Sequence, residues 1–501
     1  MESVNPPRYS TLSHVTLPSY LDPGDFDISS LDHGRPGEGD SRQAFDFCIE
    51  KNPGSTGDPQ PWATLRLLST VPAALPVRRP RYIGGENVEG SVMLDLKRPR
   101  TVTSIAVVLR GSMVTSSLSE FASTHTFLEV VHPIWNKTTS TGKLQGSYEW
   151  QFSFPFPIEV TSVVTGSKQR SRTQSSSENT YLTPQTVTER GVYANVAYEV
   201  ILKVTTAGLL SVKHRATASV LYIPFIRPPP LCPLRALAYV SGLALPGPED
   251  DPDGWQMVQR MELRVSSKDG FDPTAITLEC TAYIAKPTVY TRGTSIPCYL
   301  IYKNRHVEYE KQDRVDSTSL ATNFAKQRCI SLGITQQVHH QQDPRQTPTG
   351  RHTCDYVGGL VEDDERSTRE DERGTAVWWT PQISGKHFYM EGGIHVDIGH
   401  LPSCETPFLR VSHAVTISVK LSHDLDVSVI PQTTKRVRHG RKGSAASAPP
   451  VPESFADFPI KIATAHAEQG PLPLSYTPLP PKNRRSVPYD SKVLDGDFGF
   501  L

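Results

Sequence analysis

Apolar and polar residues alternate along short runs of this chain, and this period of two constrains its fold more than any other feature. In the clearest run every second residue is apolar or aromatic: Val196, Tyr198, Val200, Leu202 and Val204. Successive side chains of a β-strand point to opposite faces, so such a run is typical of a strand with one buried face. No apolar stripe with helical spacing persists long enough to require a major helix. The alternation therefore predicts an all-β chain.

The same pattern marks a first block of strands. It recurs at 92–96, 105–109, 148–154 and 216–223, and the turn-like residues 97–100 predict a hairpin between the first two runs. A second block contains 276–284, its expected partner 296–302, and the runs 415–421 and 425–429. Many short strands in two blocks are typical of two β-sandwiches in series.

Composition indicates how the segments between and around these two blocks of strands are organised. The chain has 501 residues, 43 of them proline, and its hydrophobic fraction is only 37%, which predicts irregular stretches that bury little apolar surface. A Ser/Thr/Gln-rich segment at 161–180 is expected to be a long loop. The predicted organisation is a disordered tail at 1–62, a sandwich at 63–228, a linker at 229–250, a sandwich at 251–431 with a polar insertion at about 305–375, and a disordered, basic, Pro-rich tail at 432–501.

Charge and targeting signals exclude several classes of protein. Lys plus Arg and Asp plus Glu both number 52, so no overall field attracts nucleic acid. The first residues lack a basic flank and apolar stretch of the secretory kind, and no run reaches the roughly 18 apolar residues of a membrane span. The seven cysteines are scattered without a C-x-x-C pair, which favours reduced thiols. A soluble, intracellular chain is expected.

Catalytic and metal-binding motifs are weak in this sequence. The spacing of His395, Asp397 and His400 offers three metal ligands, but surface or core histidines are the commoner explanation, since a sheet metal site usually draws on several strands. The chain contains no P-loop, nucleophile elbow or H-E-x-x-H motif. We expect no enzyme activity, no metal and no cofactor.

Two proline-tyrosine motifs stand near the start of the chain. The residues that carry them are Pro6, Pro7 and Tyr9 of a P-P-x-Y motif, and Leu17, Pro18 and Tyr20 of an L-P-x-Y motif. Proline supplies a preformed extended backbone whose ring fills an aromatic slot of a WW domain, and the tyrosine fills an adjacent pocket. We predict that both motifs bind WW domains, and that two motifs raise the avidity for a partner with several such domains.

The alternative explanation is coincidence in a proline-rich chain. With 43 prolines and 18 tyrosines in 501 residues, about 0.1 P-P-x-Y matches arise by chance, and a second related motif within fifteen residues makes coincidence a poorer explanation. Degenerate versions at 473–476 and 487–489 either bind weakly or are only linker.

A basic cluster follows the second block of strands. Its members are Lys435, Arg436, Arg438, Arg441 and Lys442. Basic residues near a membrane surface contribute about 1 kcal/mol each toward binding anionic lipid. This predicts lipid contact, with a solvated tail or a localisation signal as the alternatives.

Four segments together resemble the N-terminal domain of arrestins. They are YIGGENVEGSV at 82–92, VTSIAVVLRG at 102–111, GSYEWQFSFP at 146–155 and VYANVAYEVILKV at 192–204. The resemblance covers about 65–227, and a weaker match to the second domain, about 250–431, is interrupted at 305–375. The chain is similar to the alpha-arrestin branch, of the fungal type, because no buried charged cluster of the kind that senses phosphorylated receptors can be identified.

The resemblance implies tandem arrestin-like sandwiches in a non-enzymatic adaptor. Such a protein would link a plasma-membrane transporter or receptor to a WW-domain HECT-type ubiquitin ligase, and would promote ubiquitination and endocytosis of that cargo. It would be cytoplasmic and recruited peripherally to the plasma membrane and endosomes. The alternative is an arrestin-fold scaffold in vesicle or endosomal sorting that recruits no ligase.

Overall fold

The structure is a computed structural model, and its described part is built almost entirely from β-strands. The described residues are 40–49, 61–72, 79–116, 122–138, 142–162, 179–187, 194–207, 211–268, 275–304, 313–341, 366–384, 387–420, 422–430 and 454–468. They confirm the predicted all-β class with several packed sheets. No helix within these ranges is long and apolar enough to cross a membrane.

The first sandwich precedes residue 224. Its strands are β1 (Asp40–Ile49), β2 (Ala63–Pro72), β3 (Arg81–Ile83), β4 (Asn87–Arg100), β5 (Val102–Ser116), β6 (Ala122–Asn136), β7 (Leu144–Pro155), β8 (Glu159–Ser162), β9 (Asn179–Leu182), β10 (Ala194–Thr206) and β11 (Val212–Ile223). A four-stranded sheet has the order β1-β2-β4-β7, and a five-stranded sheet has the order β3-β11-β10-β5-β6. Strands β8 and β9 form a separate pair.

Strand β10 lies in the middle of the five-stranded sheet and confirms the alternation seen in the sequence. It pairs with β11 on one side and with β5 on the other, both antiparallel. The side chains of its predicted inner face are all buried: Val196, Tyr198, Val200, Leu202 and Val204. Full burial of a large aliphatic side chain stabilises a fold by roughly 1.5–3 kcal/mol, so this face is a major contributor to the first core.

Two predictions for the first sandwich are wrong. The runs at 92–96 and 105–109 do not form a hairpin, because β4 and β5 lie in opposite sheets and residues 97–100 belong to β4 rather than to a turn. The sandwich also starts before residue 63, since β1 pairs along its whole length with β2. Apolar residues alternate briefly at Phe45, Phe47 and Ile49, within the segment predicted to be a disordered tail.

The second sandwich follows residue 254. Its strands are β12 (Trp255–Ser267), β13 (Ala275–Ala285), β14 (Val289–Thr291), β15 (Ser295–Asn304), β16 (Ile330–Gln341), β17 (Arg366–Thr375), β18 (Val377–Trp378), β19 (Gln382–Ser384), β20 (His387–His395), β21 (Cys404–Glu405), β22 (Leu409–Val419), β23 (Leu425–Ile430) and β24 (Ser454–Ala463). One sheet has the order β18-β20-β15-β13-β12-β23, with β19 beside β20, and the other has the order β14-β24-β22-β16-β17, with β21 beside β22. The predicted pairing of β13 with β15 is confirmed.

The stretch 305–375 is not simply a polar insertion. It contains helix α2 (Asp313–Gln327), β16 and β17. Strand β16 pairs with both β17 and β22, and its Ile330, Leu332 and Ile334 are buried in the second core. The pattern was missed because polar residues follow these three positions. Residues 305–312 and 342–365 lie outside the described ranges.

The second sandwich does not end at residue 431. Strand β24, placed in the predicted disordered tail, pairs antiparallel with β22 and parallel with β14. Its Ile460 and Ile462 are buried in the second core, and the partly buried Phe458 packs against that core. This alternation is short and lies in Pro-rich surroundings, so the composition of the tail concealed it. Apart from 40–49, 61–62 and 454–468, both predicted tails lie outside the described residues.

The predicted linker contains a helix. Residues 224–232 have no regular structure, and helix α1 (Pro233–Ser241) then begins with proline in its first turn and ends at Gly242, which has the left-handed conformation favoured by glycine. A short 3₁₀ turn (Pro252–Gly254) leads into β12, and the side chain of Asp251 accepts a hydrogen bond from the Gly254 amide at 3.0 Å.

Candidate functional site

The residues predicted to bind WW domains and lipid lie outside the described part of the structure, and their roles remain predictions. The first set is Pro6, Pro7, Tyr9, Leu17, Pro18 and Tyr20. The second set is Lys435, Arg436, Arg438, Arg441 and Lys442. The degenerate motifs at 473–476 and 487–489 also lie outside the described ranges.

His395 ends β20, and Asp397 and His400 lie in the turn that follows this strand. Asp397 accepts a hydrogen bond from the Gly399 amide through Oδ1 at 2.7 Å, and its carbonyl oxygen accepts one from the His400 amide at 3.1 Å. Burial lowers the pKa of His395. Within the described residues, no group of three or more His, Cys, Asp or Glu side chains is arranged to hold a metal ion.

The described residues that join the two sandwiches form a continuous interface. The core of the first sandwich also takes in residues of the second half of the chain: Val338, Leu401, Phe408, Leu409 and Val411. The Phe408 ring stacks on Phe127 of β6, with ring centroids 4.9 Å apart, and lies 5.7 Å from the ring of His125. The two sandwiches therefore share apolar packing.

Gly111 of β5 makes room for this contact. A Cβ atom at this position would lie 2.8 Å from the ring of Tyr198 and 2.9 Å from the ring of Phe127, closer than real Cβ contacts allow. Phe127 and Tyr198 themselves meet edge to face at 5.8 Å. The glycine that ends the second resembling segment is thus required by the packing of the rings that reach the second sandwich.

A buried arginine lies at the same interface. Arg292, in the turn after β14, is 5% exposed. Its Nη1 donates to Oε1 of Gln185 in the first sandwich at 3.1 Å and to the carbonyl oxygen of His400 at 3.3 Å. Burial lowers its pKa to about 10, so the guanidinium stays charged at neutral pH. The charged side chain of Arg292 in the second sandwich is thus hydrogen-bonded to the neutral side-chain amide of Gln185 in the first.

A polar network holds the chain between β20 and β22 in place. Gln336 of β16 accepts hydrogen bonds through Oε1 from the Leu401 amide at 3.2 Å and shares a 3.3 Å contact with Nε2 of His413. The other ring nitrogen of His413 lies 3.0 Å from Oγ of Ser403, which also accepts from the Ile462 amide at 2.9 Å. Four segments of the second sandwich therefore meet at these side chains.

The Ser403–His413 contact is not built like a nucleophile and its base. His413 is 3% exposed, and the nitrogen facing away from Ser403 lies 3.3 Å from the amide oxygen of Gln336. A hydrolytic pair needs access for substrate and a group that stabilises the protonated imidazole. This network therefore orients the loop and does not activate the serine.

The chain leaving the first sandwich is fastened to the chain leaving β24. Thr464 donates through Oγ1 to the Pro224 carbonyl at 2.5 Å and accepts from the Ile226 amide at 2.9 Å. The amides of Thr464 and Ala465 donate to the Ile226 carbonyl at 3.0 and 2.9 Å. A segment predicted to be a free tail thus clamps the start of the linker.

Sequence reasoning missed the residues of this interface. Arg292 and Phe408 stand in short turns, where no periodic pattern identifies a contact with a distant segment. Gln336 and His413 lie on strands, but polar residues on an inner face cannot be distinguished from outward-facing ones without the partner sandwich.

Part of the chain matches a known protein family. Residues 74–221 match the family described as arrestin (or S-antigen), N-terminal domain. The matched range covers β3 to β10 and most of β11, and includes all four segments that resemble arrestins. No curated protein matches the chain. Proteins of the arrestin family are generally non-enzymatic scaffolds or adaptors, and the match over residues 74–221 supports placing this chain in an arrestin-like family.

Proposed function

We propose that this chain is a trafficking adaptor of the alpha-arrestin branch, of the fungal type. The double sandwich selects a plasma-membrane transporter or receptor. The motifs at 6–9 and 17–20 recruit a WW-domain HECT-type ubiquitin ligase, which modifies the cargo and promotes its endocytosis. The protein acts in the cytoplasm and is recruited to the plasma membrane and endosomes.

The observation that carries this proposal is the joining of two proline-tyrosine motifs to an arrestin-like body. The second motif ends at Tyr20 and β1 begins at Asp40, so at least 19 residues separate the motifs from the first described strand. A WW domain needs only the few residues of an extended motif, so a motif set apart from the body supports simultaneous binding of ligase and cargo.

The basic residues at 435–442 supply a second contact in this proposal. They lie between β23 and β24, which are both anchored in the second sandwich. A basic segment tethered at both ends to a cargo-binding body would bring that body to an anionic membrane surface.

The test is a pull-down of the full-length chain with a tandem WW-domain fragment of a HECT-type ligase. Wild type is expected to bind, Tyr9→Ala and Tyr20→Ala to bind more weakly, and the double variant to lose binding. Arg8→Ala and Ser19→Ala are matched controls, because they change the variable position of each motif and leave its proline and tyrosine intact.

Two results would contradict ligase recruitment through these motifs. One is the failure of wild type to bind, and the other is unchanged binding of the double variant. Cargo association that persists in cells without any ligase in the complex would favour the alternative, an arrestin-fold scaffold in vesicle or endosomal sorting.

A further inference from the structure

Helix α1 and the residues just after it expose a concentrated apolar surface. Among the described residues eleven large hydrophobic side chains are exposed, and four of them lie within 234–243: Leu234, Leu237, Val240 and Leu243. The three on the helix are spaced three residues apart, so they share one side of it. Val240 is 84% exposed and each of the others more than half. Apolar patches of this kind usually mark a surface that another group covers.

The opposite side of α1 is packed against the second sandwich. Arg235 and Ala238 are buried, and Nη1 of Arg235 donates to the carbonyl oxygen of Lys286 at 2.6 Å. A helix of nine residues is too short to be stable alone in water, so this packing maintains it. The apolar face is therefore presented outward on a helix that is anchored from behind.

The size of the face argues for an occupant from the same chain. Its four side chains expose roughly 450 Å², about half of the 800 Å² that each partner buries in a standard protein interface. A second copy of the chain would gain too little from this contact alone. A tethered segment needs far less contact area, because its effective concentration is in the millimolar range.

Carboxylates beside α1 argue against an anionic lipid surface as the occupant. Glu249, Asp250 and Asp253 follow the helix and are exposed. Cys232, the residue before α1, donates through Sγ to Oδ2 of Asp251 at 3.3 Å, which holds this acidic stretch next to the helix. Negatively charged headgroups would be repelled there, whereas an uncharged segment would not.

The described part of the chain ends close to α1. His466 and Ala467 are buried and line the same small cavity as Tyr239 of α1. The next residue, Glu468, forms an ion pair with Arg227 at 3.9 Å. Any segment that continues from Glu468 therefore starts beside the helix.

The residues that follow Glu468 have the composition that this face requires. Residues 469–501 lie outside the described ranges, and 469–481 contain no charged residue. Apolar side chains recur within this stretch, at Leu472, Leu474, Tyr476 and Leu479. Its prolines reduce the conformational entropy that docking would cost. An extended proline-rich chain spans about 3.1 Å per residue, so residues up to Leu479 can reach along the whole helix, which is about 14 Å long.

We propose that residues 471–479 dock on the apolar face formed by Leu234, Leu237, Val240 and Leu243. The chain thus covers its own linker helix with the segment that leaves β24. Because Tyr476 belongs to the degenerate proline-tyrosine motif at 473–476, docking would also keep this motif from a WW domain.

The experiment is hydrogen–deuterium exchange of the full-length chain, read by mass spectrometry on the amides of 236–243. Combined replacement of Leu472, Leu474 and Leu479 by Ser is expected to speed exchange there about fivefold or more, because docking would slow local opening of the helix. The matched control replaces Val493, Leu494 and Phe498 by Ser, three apolar residues later in the same tail, and should exchange like wild type.

Two further arms identify the contact. A synthetic peptide of residues 469–482, added at millimolar concentration to the variant with three serines at 472, 474 and 479, should restore slow exchange. In a chain that carries Leu234→Ala and Val240→Ala, the same three tail substitutions should make no further difference, as expected for groups that act through one contact. Both helix positions are exposed, so these substitutions should not prevent folding.

Four results would overturn the proposal. The first is equal exchange of 236–243 in wild type and in the variant with the serines at 472, 474 and 479. The second is equally fast exchange in the control, which would place the occupant elsewhere in the tail. The third is slow exchange that disappears on dilution of wild type, which would assign the face to a second copy. The fourth is slow exchange that requires added phosphatidylserine vesicles, which would assign it to lipid.

Discussion

Phe127 and Phe408, one in each sandwich, stack with their ring centroids 4.9 Å apart and their planes inclined by 23°. Phe408 is 4% exposed and belongs to the core of the first sandwich although it immediately precedes β22 of the second. The contact therefore joins the apolar packing of the two halves of the chain.

Phe408→Ala should destabilise the protein and separate the unfolding of its sandwiches. Truncating a buried phenylalanine costs about 3–5 kcal/mol. We expect calorimetry to show a lower Tm and a broader or split transition. Leu237→Ala, at a position 60% exposed, is the control and should change the unfolding free energy little. A single transition with unchanged Tm in Phe408→Ala would show that the stacked rings contribute no coupling.

Arg292→Met should be close to neutral for stability, or stabilising. The arginine is buried, its described partners are a neutral amide and a carbonyl oxygen, and replacing a buried charge by an apolar side chain of similar size often removes a desolvation cost. Urea unfolding should give a free energy within about 1 kcal/mol of wild type or above it. A loss of about 3 kcal/mol or more would instead reveal a carboxylate partner outside the described residues.

Truncation should reveal that part of the C-terminal region is structural. A chain that ends at Glu468 keeps β24 and the Thr464 contacts, and should retain the circular dichroism spectrum and Tm of the full chain. A chain that ends at Pro452 loses β24 from between β14 and β22, and should aggregate or unfold at lower temperature because the β22 edge and the second core are exposed. Equal stability of the two truncated chains would contradict the role of β24.

Stability should fall as the pH drops below about 6.5, the ordinary pKa of histidine. Burial lowers the pKa of His340, which is 5% exposed, and also the pKa values of His214 and His395. Below pH 6.5 the unfolded chain takes up protons on these imidazoles before the folded chain does, so acid favours unfolding, by at most about 1.4 kcal/mol per pH unit for each group.

His340→Gln should reduce this pH dependence. Urea unfolding at intervals between pH 5 and pH 8 should give a shallower slope for the variant than for wild type. The pKa of Glu391 is raised by burial, and this group works in the opposite direction at more acidic pH, from its raised pKa down to its ordinary one. Equal slopes in both proteins would show that His340 titrates alike in the folded and unfolded chains.

Vesicle binding should depend on the basic cluster at 435–442. Replacing its five basic residues with Gln should abolish co-sedimentation with phosphatidylserine vesicles, since each contributes about 1 kcal/mol at low salt. Raising the salt should have the same effect on wild type, and neutral phosphatidylcholine vesicles should bind neither protein. Wild-type binding that is insensitive to salt would exclude an electrostatic contact.

The arrestin-like body was predictable from sequence where strands carry a strict alternation. Val196 to Val204 identify the centre of the first sandwich, and 276–284 with 296–302 identify a strand pair of the second. In each of these strands every second residue lies in one of the two cores, so the period of two is visible. The proline-tyrosine motifs can also be identified from the sequence, because an extended motif needs no tertiary context to be recognised.

Strand partners and buried polar sites depended on the tertiary structure. The alternation of β4 and β5 is the same whether they pair or face each other across a core, and only the opposing sheet determines which occurs. Similarly, nothing in the sequence distinguishes Arg235 and Arg292 from the other basic residues, and only the tertiary structure shows that both are buried.

The sequence by itself determined the class of fold and the short motifs, because alternation and extended motifs act over a few neighbouring residues. The tertiary structure alone decided that β1 and β24 complete the sandwiches, that Phe408 stacks on Phe127, and that the buried Arg235 donates a hydrogen bond to the Lys286 carbonyl oxygen. Each of these contacts joins residues far apart in the chain, and their free energy comes from excluding water between surfaces that no local pattern records.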